Sequence, residues 1–194
     1  MKGCRPLTDS EIEQVLNSFD GEFKNRNKCL FVLGIKSGLR ISSLISLTVG
    51  SVFQDGQIVD RVYIERRNVK RKKEGYSILL NPAAKVAIEA WLSEFAKKEA
   101  LLPCTYLFQS RNGLNKPISR VQAWNVFKAA FAKSHLMGKL GCHSTRKSFA
   151  KKMYELLSHD LVKLQASLHQ ANLLSTVAYC SFREEEIDSA IMAL

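Results

Sequence analysis

Apolar side chains recur at helical spacing over most of this chain, and the breaks between the runs divide it into elements. Ile12, Val15, Leu16 and Phe19 follow a capping box, Thr8 with Glu11 three residues on, which predicts a first helix ending near Asp20-Gly21. Cys29, Leu30, Phe31, Leu33 and Ile35 predict a second helix from about Asn25 to Lys36. Ser37-Gly38 stops it, where glycine suits the left-handed position after a helix. A third follows at once, Ile41 to Leu47. Between Gln57 and Leu80 the pattern turns to β: Ile58, Val59, Val62, Tyr63 and Ile64 lead in, and Tyr76, Ile78 and Leu80 alternate on the way out. Pro82 starts a helix over Ala83 to about Ala100, with Val86, Ile88, Trp91, Leu92 and Phe95 as its apolar stripe.

Tyr106-Leu107-Phe108 has a buried character, and Ser110 to Gly113 reads as a turn. Pro117-Ile118-Ser119 caps a further helix through Phe131, whose apolar side takes in Val121, Trp124, Phe127 and Phe131. That aromatic spacing fits core packing rather than a platform for stacked bases. A helix from His143 turns Phe149, Met153 and Leu157 inward. A short helical segment precedes His169, and a run starting after Asn172 ends at Tyr179. Neither repeats nor a linker divides the chain. The expectation is one domain over residues 1–194, mainly α with a small antiparallel β-sheet.

The length, 194 residues, suits a single core, and 46% hydrophobic with 24% charged residues is ordinary for a globular protein. The charge balance is not. Lys and Arg number 29 against 18 acidic residues, a net +11 with pI near 9.6, which favours a polyanion: DNA, RNA or an anionic membrane surface. No apolar run approaches the roughly 18 residues of a membrane span, and no signal-peptide pattern opens the chain, so a membrane is the weaker partner. The five cysteines are scattered without paired Cys-x-x-Cys spacing, which argues against zinc and for reduced thiols in a cytoplasm. Cys142 and Cys180 flank His143 and Tyr179 and are candidates for a reactive thiol.

The chemistry concentrates between Gly141 and Phe182. His143 and Arg146 stand three apart on what reads as a first helical turn, so both can aim at one point. A guanidinium grips phosphate oxygens in a fork, imidazole donates hydrogen bonds to them, and the phenol of Tyr179 can attack phosphorus. With His169 as a further donor, this set points to phosphoryl transfer on a nucleic-acid backbone. Upstream, Arg40 begins a helix in Gly38-Leu39-Arg40-Ile41-Ser42-Ser43-Leu44, a place where the helix dipole disfavours a cation unless an anion binds beside it. Arg66-Arg67-Asn68-Val69-Lys70-Arg71-Lys72-Lys73 lies between the β segments, at a hairpin tip turning at Glu74-Gly75.

These motifs resemble those of the tyrosine recombinases, the phage-type integrases, which share a catalytic core with type IB topoisomerases. His143-Ser-Thr-Arg146 matches the family's His-x-x-Arg. Residues 38–44 resemble its first arginine box, with Ser43 where glutamate is usual. His169 stands at the second-histidine position, with Ser167-Leu168 in place of Leu-Gly, and Tyr179 follows ten residues on. The resemblance covers nearly the whole chain and implies the mainly helical catalytic-domain fold of these DNA breaking-rejoining enzymes. The family's usual N-terminal core-binding domain is expected to be absent from these residues, the sequence being either a fragment of a longer recombinase or a short recombinase that lacks it.

By the same resemblance, Arg40, His143 and Arg146 would bind the scissile phosphate, His169 would add a hydrogen bond and Tyr179 would form a 3′-phosphotyrosine. Lys70, with Lys72 as second choice, would protonate the leaving 5′-oxygen. No metal, ATP or other cofactor is implied. The expected activity is site-specific recombination or integration on double-stranded DNA, by a prokaryotic or mobile-element protein of the cytoplasm associated with the nucleoid. The alternatives are a stand-alone type IB topoisomerase-like enzyme and a catalytically inactive basic DNA-binding protein. A tail helix, about 183–194, carries Ile187, Ala190, Ile191 and Leu194 on one stripe. It is expected either to pack on its own domain or to join neighbouring subunits of a homo-oligomer, a tetramer on DNA.

Overall fold

The computed structural model describes residues 3–65, 74–98, 100–177, 179 and 191–192. The chain divides into two compact units, Met1–Phe149 and Ala150–Leu194.

In the first unit the capping box forms as the sequence predicts. Thr8 Oγ1 accepts from the Glu11 amide at 3.2 Å and the Glu11 carboxylate accepts from the Thr8 amide at 2.9 Å, opening α1 (Asp9–Ser18). Arg5 ties the preceding segment down, reaching Glu11 at 2.5 and 2.8 Å. α2 (Lys24–Ser37) is buried on nearly every side from Cys29 to Ile35, so it is the core's central rod rather than an amphipathic surface helix. Phe31, on α2, meets Phe127 edge-on at 5.6 Å and Phe19 at 5.8 Å between ring centroids. α3 (Ile41–Ile45) ends two residues short of the expected Leu47, and a further short helix, α4 (Val49–Val52), follows it.

β1 (Phe53–Gln54) and β2 (Gln57–Ile58) pair through Asp55-Gly56, both at positive φ (50° and 78°), the geometry a tight hairpin turn of this hand requires. β3 (Arg61–Ile64) and β4 (Tyr76–Leu79) form a second antiparallel pair, with Ile64 opposite Tyr76. The expected single small sheet is thus two ribbons. Residues 66–73, with Lys70 and Lys72, lie outside the described residues.

Asn81 caps α5 (Pro82–Phe95), with Pro82 in its first turn. The buried face is Ala84, Ile88, Trp91, Leu92 and Phe95, while Val86, expected inward, is 64% exposed. Counting from Ile88, i−4 lies on the core face and i−2 does not. The same correction applies to α6 (Arg120–Lys133), capped by Ser119: Val121 is 66% exposed, and Ala123, Phe127, Ala130 and Phe131 face inward. α5 stops five residues short of Ala100. α7 (Cys142–Leu156) carries the first unit to its end at Phe149.

The second unit contains α8 (Leu161–Ser167), capped by Asp160, whose carboxylate accepts from the Val162 and Lys163 amides at 2.9 Å. α9 (Leu173–Val177) follows. Of the expected tail helix only residues 191–192 are described. Among the described residues no helix is long and apolar enough to cross a membrane.

Candidate active site

Close approach of two helices builds the site in the first unit. A Cβ at Gly34 of α2 would come within 2.8 Å of Thr145 Oγ1, and one at Gly38 would overlap the Phe149 ring. Gly34 and Gly38 are one turn apart on α2, as Thr145 and Phe149 are on α7, so small residues on one helix admit larger ones on the other. Gly38 also ends α2 at φ 62°, a conformation open to glycine at little cost.

That contact sets Arg146. Its guanidinium donates to the Gly38 carbonyl and the residue is only 2% exposed. A guanidinium this deep needs partners for its donors, and the Gly38 carbonyl is one of them. Two residues beyond Gly38, Arg40 is the N-cap of α3 in an extended conformation, half-buried, with its carbonyl accepting from the Ser43 and Leu44 amides at 2.9 and 3.0 Å. His143 lies in the first turn of α7. The ring is solvent-accessible yet crowded by protein, and its pKa falls below the ordinary value, first through that crowding and then through Arg146, Lys147 and Arg40. Arg40, His143 and Arg146 therefore share one positive region, although Arg146 is buried where His143 is exposed.

The start of α7 is held without an acidic cap. The Gly141 amide donates to Ser144 Oγ at 3.1 Å, Thr145 Oγ1 donates to the Cys142 carbonyl at 3.0 Å, and the Leu7 amide donates to Ser148 Oγ at 2.8 Å. Leaving acids out of this turn keeps the local charge positive. Cys142 is no activated thiol: burial pushes its pKa up to about 11, which leaves little thiolate at neutral pH. Cys180, the other candidate, lies outside the described residues.

One group at this site was not foreseen. Tyr76 of β4 hydrogen-bonds with Ser43, and its acidity responds to both Arg146 and Arg40. Burial, the larger influence, raises its pKa, and the two cations and Ser43 oppose the rise. Its alternation with Ile78 and Leu80 marks an inward-facing position, which in sequence reads simply as core.

His169 and Tyr179 belong to the second unit. His169 sits just past α8 at φ 49°, with its amide donating to the Ala166 carbonyl at 3.0 Å. Asn172 Oδ1 accepts from the Leu174 amide at 2.8 Å, and buried Thr176 donates to Gln170 Oε1 at 2.7 Å. Half-buried Tyr179 follows α9, its amide donating to the Thr176 carbonyl at 2.9 Å. Among the described residues no group of three or more His, Cys, Asp or Glu is placed to hold a metal ion.

Comparison with known proteins bears directly on this arrangement. A probable integrase/recombinase, YoeC of Bacillus subtilis, is 28% identical over 186 residues, covering 96% of this chain and 94% of that protein. The tyrosine recombinase XerC of Caldanaerobacter subterraneus subsp. tengcongensis is also 28% identical, over 95% of this chain but 49% of its own. The crystal structure of the XerH site-specific recombinase bound to a palindromic difH substrate superposes with a TM-score of 0.75 at 19% identity, over 96% of this chain and 51% of that one. The chain thus spans about half the length of these Xer proteins and nearly all of YoeC. The fold is that of the tyrosine recombinases. The family model for phage integrases matches residues 5–186, a span that takes in Arg40, His143, Arg146, His169 and Tyr179 alike, and the chain belongs to the phage integrase family.

Proposed function

We propose that this protein cuts and rejoins double-stranded DNA at specific sites through a 3′-phosphotyrosine intermediate. The observation that carries the reading is the buried Arg146 guanidinium sharing a positive region with Arg40 and His143. Such a cluster matches a pentavalent phosphate carrying extra negative charge, and it is preorganised because Gly38 and the α3 start hold it before substrate arrives. Family membership and the DNA-bound state of the XerH relative support the same reading.

Tyr179 attacks phosphorus, the bond from phosphorus to the 5′-oxygen breaks, and Lys70 of the hairpin gives that oxygen its proton. His143 and His169 donate hydrogen bonds to the phosphate. The phosphodiester energy is stored in the tyrosyl bond, so rejoining needs neither ATP nor a metal ion. Residues 1–194 act as the catalytic domain, in the cytoplasm, and the tail beyond Tyr179 links copies of the chain into a tetramer on DNA.

The test begins with selection of bound duplexes from a random pool. Two differently labelled duplexes carrying the recovered site are then mixed with the protein in EDTA without ATP. Transfer of a strand from one duplex to the other is expected. Plasmid relaxation without transfer would favour a topoisomerase, and binding without any covalent adduct would leave only a DNA-binding protein.

A further inference from the structure

Around Arg40 and Arg146 the structure must solve a specific problem. Two guanidiniums held near one another repel, and the usual remedy, a carboxylate between them, would cancel the charge that a phosphate needs. One neighbour of both is a phenol. Tyr76 stands on β4 opposite Ile64, with buried Ile78 and Leu80 on the same face pinning the strand to the core. It hydrogen-bonds with Ser43, which is 3% exposed. Ser43 in turn donates its amide to the Arg40 carbonyl at 2.9 Å. A continuous path therefore runs from the sheet to the α2–α3 junction, and Arg146 closes on that junction through the Gly38 carbonyl. Tyr76 also forms, with Ile64, the rung of the β3–β4 ladder furthest from Arg61 and Leu79, so one side chain connects that ribbon to the arginine pair.

We propose that Tyr76 is a positioning residue for DNA cleavage, fixing through Ser43 the junction that aims Arg40 and Arg146 at the scissile phosphate. The phenol orders the pair by dipole and hydrogen bond while leaving its positive charge intact. Burial supports this by keeping the phenol neutral. The inference rests on the active-site reading above and adds to it a residue that forms no bond to phosphorus.

The test measures single-turnover adduct formation on a nicked duplex at saturating protein, with DNA affinity and thermal melting measured in parallel. Tyr76→Phe keeps the ring and its packing. It is expected to slow adduct formation about 10- to 100-fold, the scale of a sub-ångström misalignment, while the Kd stays within about twofold, since affinity is spread over many phosphate contacts. Ser43→Ala provides a second route to the same loss should the phenylalanine variant melt early. The double variant is expected to be no slower than either single one, because both remove one path. An unchanged rate in Tyr76→Phe, or losses that multiply in the double variant, would overturn the proposal. Tyr179→Phe and Arg146→Ala run alongside. If these still form adduct at the wild-type rate, the active-site reading itself falls. If they are dead while Tyr76→Phe is fully active, only the role of Tyr76 falls.

Discussion

Gly38 gives the sharpest check on how the site is built, because its removal should damage fold and chemistry together by calculable amounts. Alanine at φ 62° costs about 1–2 kcal/mol from its Cβ alone. The same Cβ overlaps the Phe149 ring, and forcing a packed core apart adds about 1–3 kcal/mol. Gly38→Ala should therefore cost about 2–5 kcal/mol, or about 4–20 °C in Tm for a chain of this size. Gly21 is the internal control. It has nearly the same φ, 69°, but nothing within 4 Å of a Cβ, so Gly21→Ala should cost only the backbone share, about 1–2 kcal/mol. Asparagine separates the two causes, since it tolerates the left-handed region but not the overlap. Gly21→Asn should be close to neutral and Gly38→Asn as harmful as alanine. Calorimetry and circular-dichroism melts supply the Tm values, and adduct formation on a nicked duplex supplies the function. Because the Gly38 carbonyl holds Arg146 and Arg40 is two residues on, both Gly38 variants should also lose about 100-fold or more in cleavage rate. Equal melting of the two alanine variants, or wild-type cleavage by Gly38→Ala, would refute the helix-contact account of the site.

Other outcomes follow from the same structure. Arg40→Ala should lower the cleavage rate by about 100- to 1,000-fold while DNA affinity, measured by gel shift, falls little. Arg5 holds the Glu11 carboxyl down to about 2 from 4.5, chiefly through its hydrogen bond. A depressed carboxylate stabilises above its unfolded pKa, so Glu11→Gln should cost about 1 kcal/mol at neutral pH, a gap that closes in denaturant titrations as pH falls from 4.5 towards 2. Deleting Ile187 to Leu194 should leave a folded protein that binds a single site but assembles poorly into synaptic complexes, as read by light scattering.

What the sequence carried well was local. The capping box at Thr8, the cap at Ser119, the stop at Gly38 and the helical start at His143 are decided by neighbouring residues, so pattern alone places them. The arginine box and His-x-x-Arg single out Arg40, His143 and Arg146 as candidates for the same reason. What it carried poorly was set by packing. Val86 and Val121 look like stripe members, but the true faces are completed by alanines, whose small size lets helices approach closely. The depth of Arg146 depends on Gly34 and Gly38 facing Thr145 and Phe149, more than 100 residues away in sequence. Tyr76 was legible as inward-facing, but not as a neighbour of two arginines, because the partner elements are brought together only by the fold. The Asp55-Gly56 turn signal was present but flanked by strands of only two residues.

Covalent chemistry at one phenol leaves a linkage that can be mapped. The protein is trapped on a nicked duplex bearing its selected site, digested with protease, and the DNA-linked peptide is sequenced by mass spectrometry. A single linked peptide with the 3′-phosphate on Tyr179 is expected, and no linked peptide from Tyr179→Phe. A linkage on Tyr76, Tyr106 or Tyr154, or an adduct that survives in the phenylalanine variant, would contradict it.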